Sequence, residues 1–356
     1  MDNRLYGVIL AGGRGERFWP RSKKVRPKQL LPVISKKTML EETFSRLNNF
    51  IPKEKIFVVG TEILKEPIDS LGIFSESNLM YEPFGKNTAL AIGFAAIKLR
   101  SIDKDSVMLV CPADHSIFPD KDFQKTIQIG FDYALKGNLV TFGITPTRPD
   151  EGYGYIELGE SLLDEQVYKI KSFKEKPNVK RAISYLKKGN TLWNSGIFLW
   201  KTEKLLEGIE KYLPEMYREL VEFEKHIGKS DERESILKLY ENSPSTSIDF
   251  GVMEQAENIV IVRAQFNWDD VGDWNALERI KNKDKEGNIV EGEVVTLNSK
   301  NSIIISDYGL VTVIGVSDLI VVKTENETLV CKKNETGEIK NLLKILEKDE
   351  KYKKYL

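Results

Sequence analysis

The chain has 356 residues, with 53 Lys and Arg against 54 Asp and Glu, a formal net charge of −1 and 41% hydrophobic residues. That composition suits one large globular domain and a smaller one, argues against a nucleic-acid binder acting through its whole surface, and holds no apolar run near the ~18 residues of a membrane span. Two distant cysteines, Cys111 and Cys331, and two histidines, His115 and His226, offer no disulfide framework, metal cluster or Ser-His-Asp machine. No apolar leader precedes the first strand, so a reducing, cytoplasmic setting is expected.

In chain order, apolar β-branched runs alternate with helical patterns. Strands are predicted at Tyr6–Leu10, Ile56–Val59, Leu79–Tyr81, Val107–Cys111 and Leu139–Ile144. Between them Met39, Leu40, Phe44 and Leu47 share one helical stripe, and helices are predicted at Thr88–Arg100 and Phe123–Leu135. This alternation points to a parallel sheet covered by helices on both faces. The pattern then loosens. Gly152–Glu157 and Val167–Phe173 read as an inserted meander, followed by a helix at Val179–Lys187 and a strand at Asn194–Trp200. Glu203–Tyr240 reads as helical with a break at Pro214, Ile259–Ala264 as a strand and Gly272–Ile280 as a helix.

A polar linker, Lys281–Gly287, precedes short β segments at Ile289-Val290, Val294-Val295, Ile303–Ile305, Leu310–Ile314 and Leu319–Val322. Their even spacing is that of a β-helix coil. Glu338–Leu356 reads either as an amphipathic terminal helix or as one that frays beyond Leu346.

The most telling segment follows the first strand. From Gly12 to Lys28 the chain carries three glycines and seven Lys or Arg against one Glu. Glycine amides followed by cations make a phosphate cradle, and a loop at the carboxyl end of a parallel strand lies where nucleotides bind in open α/β sheets. A Walker A loop fails, because Glu16 and Arg17 follow Gly15 where Lys and Ser/Thr are needed. A dinucleotide fingerprint fails for want of its third glycine, and Trp19-Pro20 stops a helix. A long, extended basic loop remains, with a merely solvated loop as its bland alternative.

Acids stand at two further strand ends. Asp114, in Cys111-Pro112-Ala113-Asp114-His115, would point into the ligand crevice or cap a turn. Trp268-Asp269-Asp270-Val271-Gly272 offers a second site, where one of the pair could simply cap the helix from Gly272. Asn87 or Thr88, after Glu82-Pro83-Phe84-Gly85-Lys86, could be ligands or an N-cap.

Leu10-Ala11-Gly12-Gly13-x-Gly15-x-Arg17-x-Trp19-Pro20 and Pro27-Lys28-Gln29 resemble the signature of sugar-1-phosphate nucleotidylyltransferases, in the mannose-1-phosphate guanylyltransferase branch. The downstream motifs Glu82–Ala89, Asp114, Gly152–Ile156, Phe173–Pro177, Trp193–Phe198 and Ser247–Glu254 follow in the family's order, covering about residues 5–280. The resemblance implies a Rossmann-like, glycosyltransferase A-like mixed α/β sheet over residues 1–282, a small left-handed β-helix-like domain over 283–337 and a terminal helix over 338–356. It implies GMP transfer from GTP to α-D-mannose 1-phosphate, giving GDP-mannose and pyrophosphate. Ala11, Gly12, Gly13, Gly15, Glu82, Asn87 and Thr88 would bind the nucleotide. Arg17 and Lys28 would hold the triphosphate, and Lys176 the sugar phosphate. Gly154, Glu175, Asn194, Gly196 and Asp249 would bind the sugar, with Glu254 a weaker candidate. Asp114 and Asp270, with Asp269 in reserve, would hold Mg²⁺. A homodimer through the C-terminal region is left open, with no nucleic-acid or membrane partner. The competing readings are a GDP-glucose- or ADP-glucose-forming relative and a catalytically silent subunit that binds nucleotide-sugar.

Overall fold

The computed structural model describes residues 2–174 and 176–356. The strands are β1 (Leu5–Leu10), β2 (Ile56–Thr61), β3 (Leu79–Glu82), β4 (Val107–Pro112), β5 (Ser116–Phe118), β6 (Leu139–Ile144), β7 (Tyr155–Leu163), β8 (Val167–Lys174), β9 (Thr191–Lys201), β10 (Ile259–Arg263) and β11 (Asn267–Asp269). Among the described residues nine of these form one sheet in the order β3-β2-β1-β4-β9-β6-β10-β8-β7, while β11 and β5 pair apart. The side from β3 to β4 is parallel, with Val8 opposite Phe57 and Val110. β6 and β10 are also parallel to each other.

The parallel sheet expected from the alternation of strands and helices holds only for these parts; the sheet is mixed, as the family resemblance implies. After β6 the chain leaves through the β7–β8 hairpin and the helix Val179–Lys188, and β9 re-enters antiparallel between β4 and β6. Periodicity cannot reveal this, because a strand buried on both faces reads alike in either direction. The pair β5–β11 was not foreseen; it clips the Asp114 and Asp270 segments together through Trp268 opposite Ile117.

Side chains of β1 and β4 alternate between two cores, as a strand period of two requires. Leu5, Ile9 and Leu109 pack with the helices Met39–Asn48 and Asp120–Leu135. Tyr6, Val8, Met108 and Val110 pack with Asn87–Ile102, Thr202–Tyr212 and Pro214–Glu224.

Beyond residue 288 come β12 (Ile289–Glu291), β13 (Val294–Leu297), β14 (Ile303–Ser306), β15 (Val311–Ile314), β16 (Leu319–Lys323) and β17 (Thr328–Lys332). Ile289, Ile303 and Ile320 stack in parallel register, and Val294 stacks on Val311, as successive turns of a β coil do. The last strand, β17, which the spacing did not reveal, closes the stack antiparallel to β16. The terminal helix is shorter than expected, Ile339–Glu347. The tail does not fray: the carbonyl of Tyr355 accepts from Trp19 Nε1 at 3.0 Å. Phe18, Trp19, Trp274, Ile303, Ile320 and Ile339 share one core, so the coil and terminal helix pack directly beneath the glycine loop.

Candidate active site

A cleft of about 460 Å³ opens at the carboxyl ends of β1, β3 and β4 and continues across β9. Its lining includes Gly12, Gly13, Glu82, Asn87, Thr88, Asp114, Gly154, Lys176, Asn194, Gly196, Asp249 and Asp270. Residues far apart in sequence thus meet in one site. Ala11, Gly15, Arg17 and Lys28 do not line it; Arg17 is exposed on the turn Glu16–Phe18 above. Glu175 lies outside the described residues.

The glycine loop is anchored rather than extended. It forms short turns at Glu16–Phe18 and Lys28–Leu30, and Gln29 Nε2 donates to the Ala11 carbonyl at 2.7 Å. Gly15 has φ +60, and a Cβ there would lie 2.9 Å from the Lys28 backbone nitrogen, so only glycine lets the loop cross Lys28. Three of the seven cations counted in sequence are paired away from the cleft. Arg21 pairs with Asp307 and Glu291, Lys23 with Glu327 at 2.6 Å and Lys24 with Glu347 at 3.0 Å, all acids of the coil and terminal helix.

Lys28 corrects the picture of an exposed loop cation. It is 4% exposed. Its ammonium pairs with Asp114 Oδ2 at 2.5 Å and donates to the carbonyls of Asp270 at 2.8 Å and Val271 at 3.0 Å. One buried charge therefore ties the two acidic segments together. Burial pushes the Asp114 carboxyl up, but the Lys28 ammonium, His115 and a backbone hydrogen bond together hold the group below the usual carboxylate range.

The neighbours Asp269 and Asp270 have separate tasks. Asp269 is 7% exposed. Its carboxylate pairs with Arg279 and accepts from the Val271 amide at 2.9 Å. Asp270 instead faces the cleft, where its Oδ1 accepts from the Tyr153 hydroxyl at 2.7 Å. Val271 between cleft and core has φ 49, costly for a β-branched residue, and is held there by Lys28 and Asp269. Neither Asp269 nor Asp270 caps the following helix; Asp273 does, accepting from the Asn275 amide at 2.9 Å.

At the β3 end, Glu82 is 3% exposed and accepts from Tyr240 Oη at 3.0 Å. Burial lifts its carboxyl to about 7, against the lowering effect of that hydrogen bond. A protonatable acid beside the exposed backbone of Gly12 and Gly13 suits a ligand rich in N–H donors. Neither Asn87 nor Thr88 is the N-cap, a position Lys86 fills without a side-chain bond. Thr88 Oγ1 accepts from the Ile248 amide at 2.9 Å, tying this helix to the segment that carries Asp249.

On the β9 side, Asn194 Nδ2 donates to Asp249 Oδ1 at 2.7 Å and its Oδ1 accepts from Thr141 Oγ1 at 3.2 Å. Gly196 has φ +69, which turns the strand beside the cleft. Sequence reasoning passed over Tyr153, His115 and Trp268, which also line the cleft. Trp268 Nε1 donates to His115 Nδ1 at 3.1 Å, and burial holds the imidazole below its ordinary pKa. The adjacency of His115 to Asp114 and of Trp268 to Asp269-Asp270 was the available signal.

Among the described residues no cluster of three acidic, His or Cys side chains forms. Two carboxylates that follow different strands, Asp114 after β4 and Asp270 after β11, nevertheless face one cleft. Such a pair suits a hard cation whose shell is completed by water and phosphate oxygens.

The nucleotidyl transferase family model matches residues 6–287, and the MannoseP isomerase/GMP-like beta-helix domain model matches residues 292–346. The mannose-1-phosphate guanylyltransferase of Escherichia coli is 36% identical, covering 98% of this chain and 76% of its own length. The enzyme of that name from Salmonella montevideo is 37% identical over 94% of this chain and 72% of its own. The solved structure of mannose-1-phosphate geranyltransferase from Thermus thermophilus is 34% identical with a TM-score of 0.88, covering 97% of this chain and 99% of that one.

Proposed function

The chain belongs to the nucleotidyl transferase family, and on that premise we propose that it makes GDP-mannose and pyrophosphate from GTP and α-D-mannose 1-phosphate. The observation that carries this reading is one cleft holding Glu82 on one wall, Asn194 and Asp249 on the other, and Asp114 and Asp270 beside them. Nucleoside triphosphates and sugar 1-phosphates are the family's substrates; guanine and mannose are the finer assignment. Glu82 accepts from the paired N–H donors of guanine, which adenine lacks. Asn194, Asp249 and the Gly154 and Gly196 backbones receive the sugar hydroxyls.

A sugar phosphate oxygen attacks the α-phosphorus of GTP in line. The bond to pyrophosphate breaks as the new P–O bond forms, with no covalent enzyme intermediate. Both reactants are anions, so positioning and cationic stabilisation carry the rate. The amides of Gly12 and Gly13 cradle the triphosphate, with Arg17 above them. Lys176, in the cleft lining, draws in the sugar phosphate. Lys28 holds Asp114 and the Asp270 backbone together from below. Mg²⁺ would be held by Asp114, Asp270 and nucleotide phosphate oxygens, and when bound it neutralises charge at the reacting phosphates.

The reaction implies a cytoplasmic enzyme. No described helix is long and apolar enough to cross a membrane. A homodimer through the coil is supported by its exposed apolar face, with Val295 at 57% and Ile314 at 67% exposure. A panel of four NTPs against mannose 1-phosphate and glucose 1-phosphate, read by pyrophosphate release, tests the assignment. Turnover is expected with GTP and mannose 1-phosphate. Preference for glucose 1-phosphate or ATP would replace the specificity, and nucleotide-sugar binding without any turnover would favour a silent subunit.

A further inference from the structure

We propose that Tyr153 is a positioning residue for Asp270, and that Arg148 directs its hydroxyl proton onto the Asp270 carboxylate. The inference rests on the reading that Asp270 binds the divalent cation. Tyr153 lies just before β7, its buried ring packed 4.8 Å from Trp193 and 5.2 Å from Trp268 at steep angles. Between those two rings the phenol is fixed in place. Its hydroxyl donates to Asp270 Oδ1 at 2.7 Å and accepts from Arg148 Nη2 at 3.1 Å.

A phenol has a single proton. With a guanidinium N–H occupying a lone pair, that proton goes to the carboxylate. Arg148 is fixed in turn: its Nε donates to Asp150 Oδ2 at 3.0 Å, and its guanidinium lies 5.1 Å from the Trp193 ring centre. On the other side of the acid, a Cβ at position 272 would come within 3.0 Å of Asp270 Oδ2, so Gly272 leaves the carboxylate its place. Lys28 fixes the Asp270 backbone through its carbonyl. Backbone and side chain of this acid are thus held independently, and the side-chain hold comes from the sugar-side segment. Outer partners that orient a metal-binding carboxylate set metal affinity as well as rate.

The test is Mn²⁺ binding to the whole 356-residue chain saturated with GDP-mannose, followed by loss of the free-ion electron paramagnetic resonance signal. Tyr153→Phe keeps the ring and removes only the hydroxyl. It should weaken Mn²⁺ binding about tenfold, at the low end of outer-partner effects. It should also raise the Mg²⁺ concentration for half-maximal rate by a similar factor, with turnover recovering at high Mg²⁺. Unchanged Mn²⁺ affinity in a folded Tyr153→Phe protein would overturn the proposal. If that variant does not fold, Arg148→Met carries the test: weakened Mn²⁺ binding supports the proposal, and parental affinity overturns it. Asp270→Asn separates this inference from its premise. Loss of Mn²⁺ in Asp270→Asn with parental affinity in Tyr153→Phe sinks the positioning role alone, whereas parental affinity in Asp270→Asn sinks both.

Discussion

The two walls of the cleft are built by different topologies. One wall, with Gly12, Gly13, Glu82 and Asp114, is the carboxyl edge of the parallel strands β1, β3 and β4. The other, with Gly154, Asn194, Asp249 and Asp270, comes from an antiparallel re-entry and the turns around it. On the first wall regular geometry delivers the groups, and their surroundings then tune two acids in opposite directions: Glu82 up, Asp114 down. On the second, side chains hold one another, Asn194 on Asp249 and Tyr153 on Asp270. Lys28 is the bolt between the walls, which makes it the place where the largest effect is expected.

Lys28→Ala leaves a partly buried carboxylate and two carbonyls without their cation. Breaking a buried pair costs ~3–5 kcal/mol, so the urea midpoint should fall sharply together with activity. Lys176→Gln, at an exposed position, should lower turnover and raise the KM for sugar phosphate, with stability within ~0.5 kcal/mol of the parent. If both variants proved equally stable, the bolt would be misplaced.

The next contrast lies within the acidic pair. Asp270→Asn should cut kcat on the order of 10²-fold, the loss seen when one preorganised charge-stabilising group goes, while the unfolding midpoint stays near the parent's. Asp269→Asn should instead lower stability by ~1–3 kcal/mol, because Arg279 loses its anionic partner and faces an amide donor in place of Oδ2, while the Val271 amide can keep its Oδ1 acceptor. A catalytic loss confined to the folded Asp269→Asn protein would reverse the assignments.

Acidity offers a third contrast. Glu82 titrates near 7 in the folded protein against an ordinary 4.5, so the native state holds a proton that the unfolded chain has released. Its contribution to stability therefore falls as pH rises from about 4.5 to about 7 and is level above. Affinity for GDP-mannose should run the other way, rising toward pH 7 as the carboxylate forms and accepts from the base. Urea midpoints and binding titrations across this range should lose both slopes in Glu82→Gln. A parental slope in that variant would place the titrating group elsewhere.

The smallest effects belong to the loop's outer rim. Arg21→Ala breaks a half-buried network with Asp307 and Glu291 and should cost more in thermal stability than Lys24→Ala, whose pair with Glu347 is solvent-exposed. The latter should stay under ~0.5 kcal/mol. Equal melting shifts would mean that the coil does not brace the loop.

Much of the first wall was legible from pattern. β1 to β4 and β6 fall within a residue or two of their apolar runs, and strand ends locate Gly12, Glu82 and Asp114. The second wall was legible through motifs only, since hydrophobic spacing does not record strand direction and β9 is buried on both faces. Only the positive charge of the glycine loop was over-read: Arg21, Lys23 and Lys24 meet acids hundreds of residues away, a long-range pairing that local charge density cannot disclose. The burial of Lys28 and the split between Asp269 and Asp270 were hidden for the same reason, because each depends on a partner brought in by the fold.

In the proposed site, acids from the two walls would converge on one ion while base and sugar take opposite walls. A crystal structure with GDP-mannose and Mn²⁺, the ion located by anomalous scattering, tests it directly. The expected result is one ion contacting Asp114 and Asp270, guanine on Glu82 and mannose on Asn194 and Asp249. An ion bound away from either acid, or a base seated on the Asn194 wall, would contradict it.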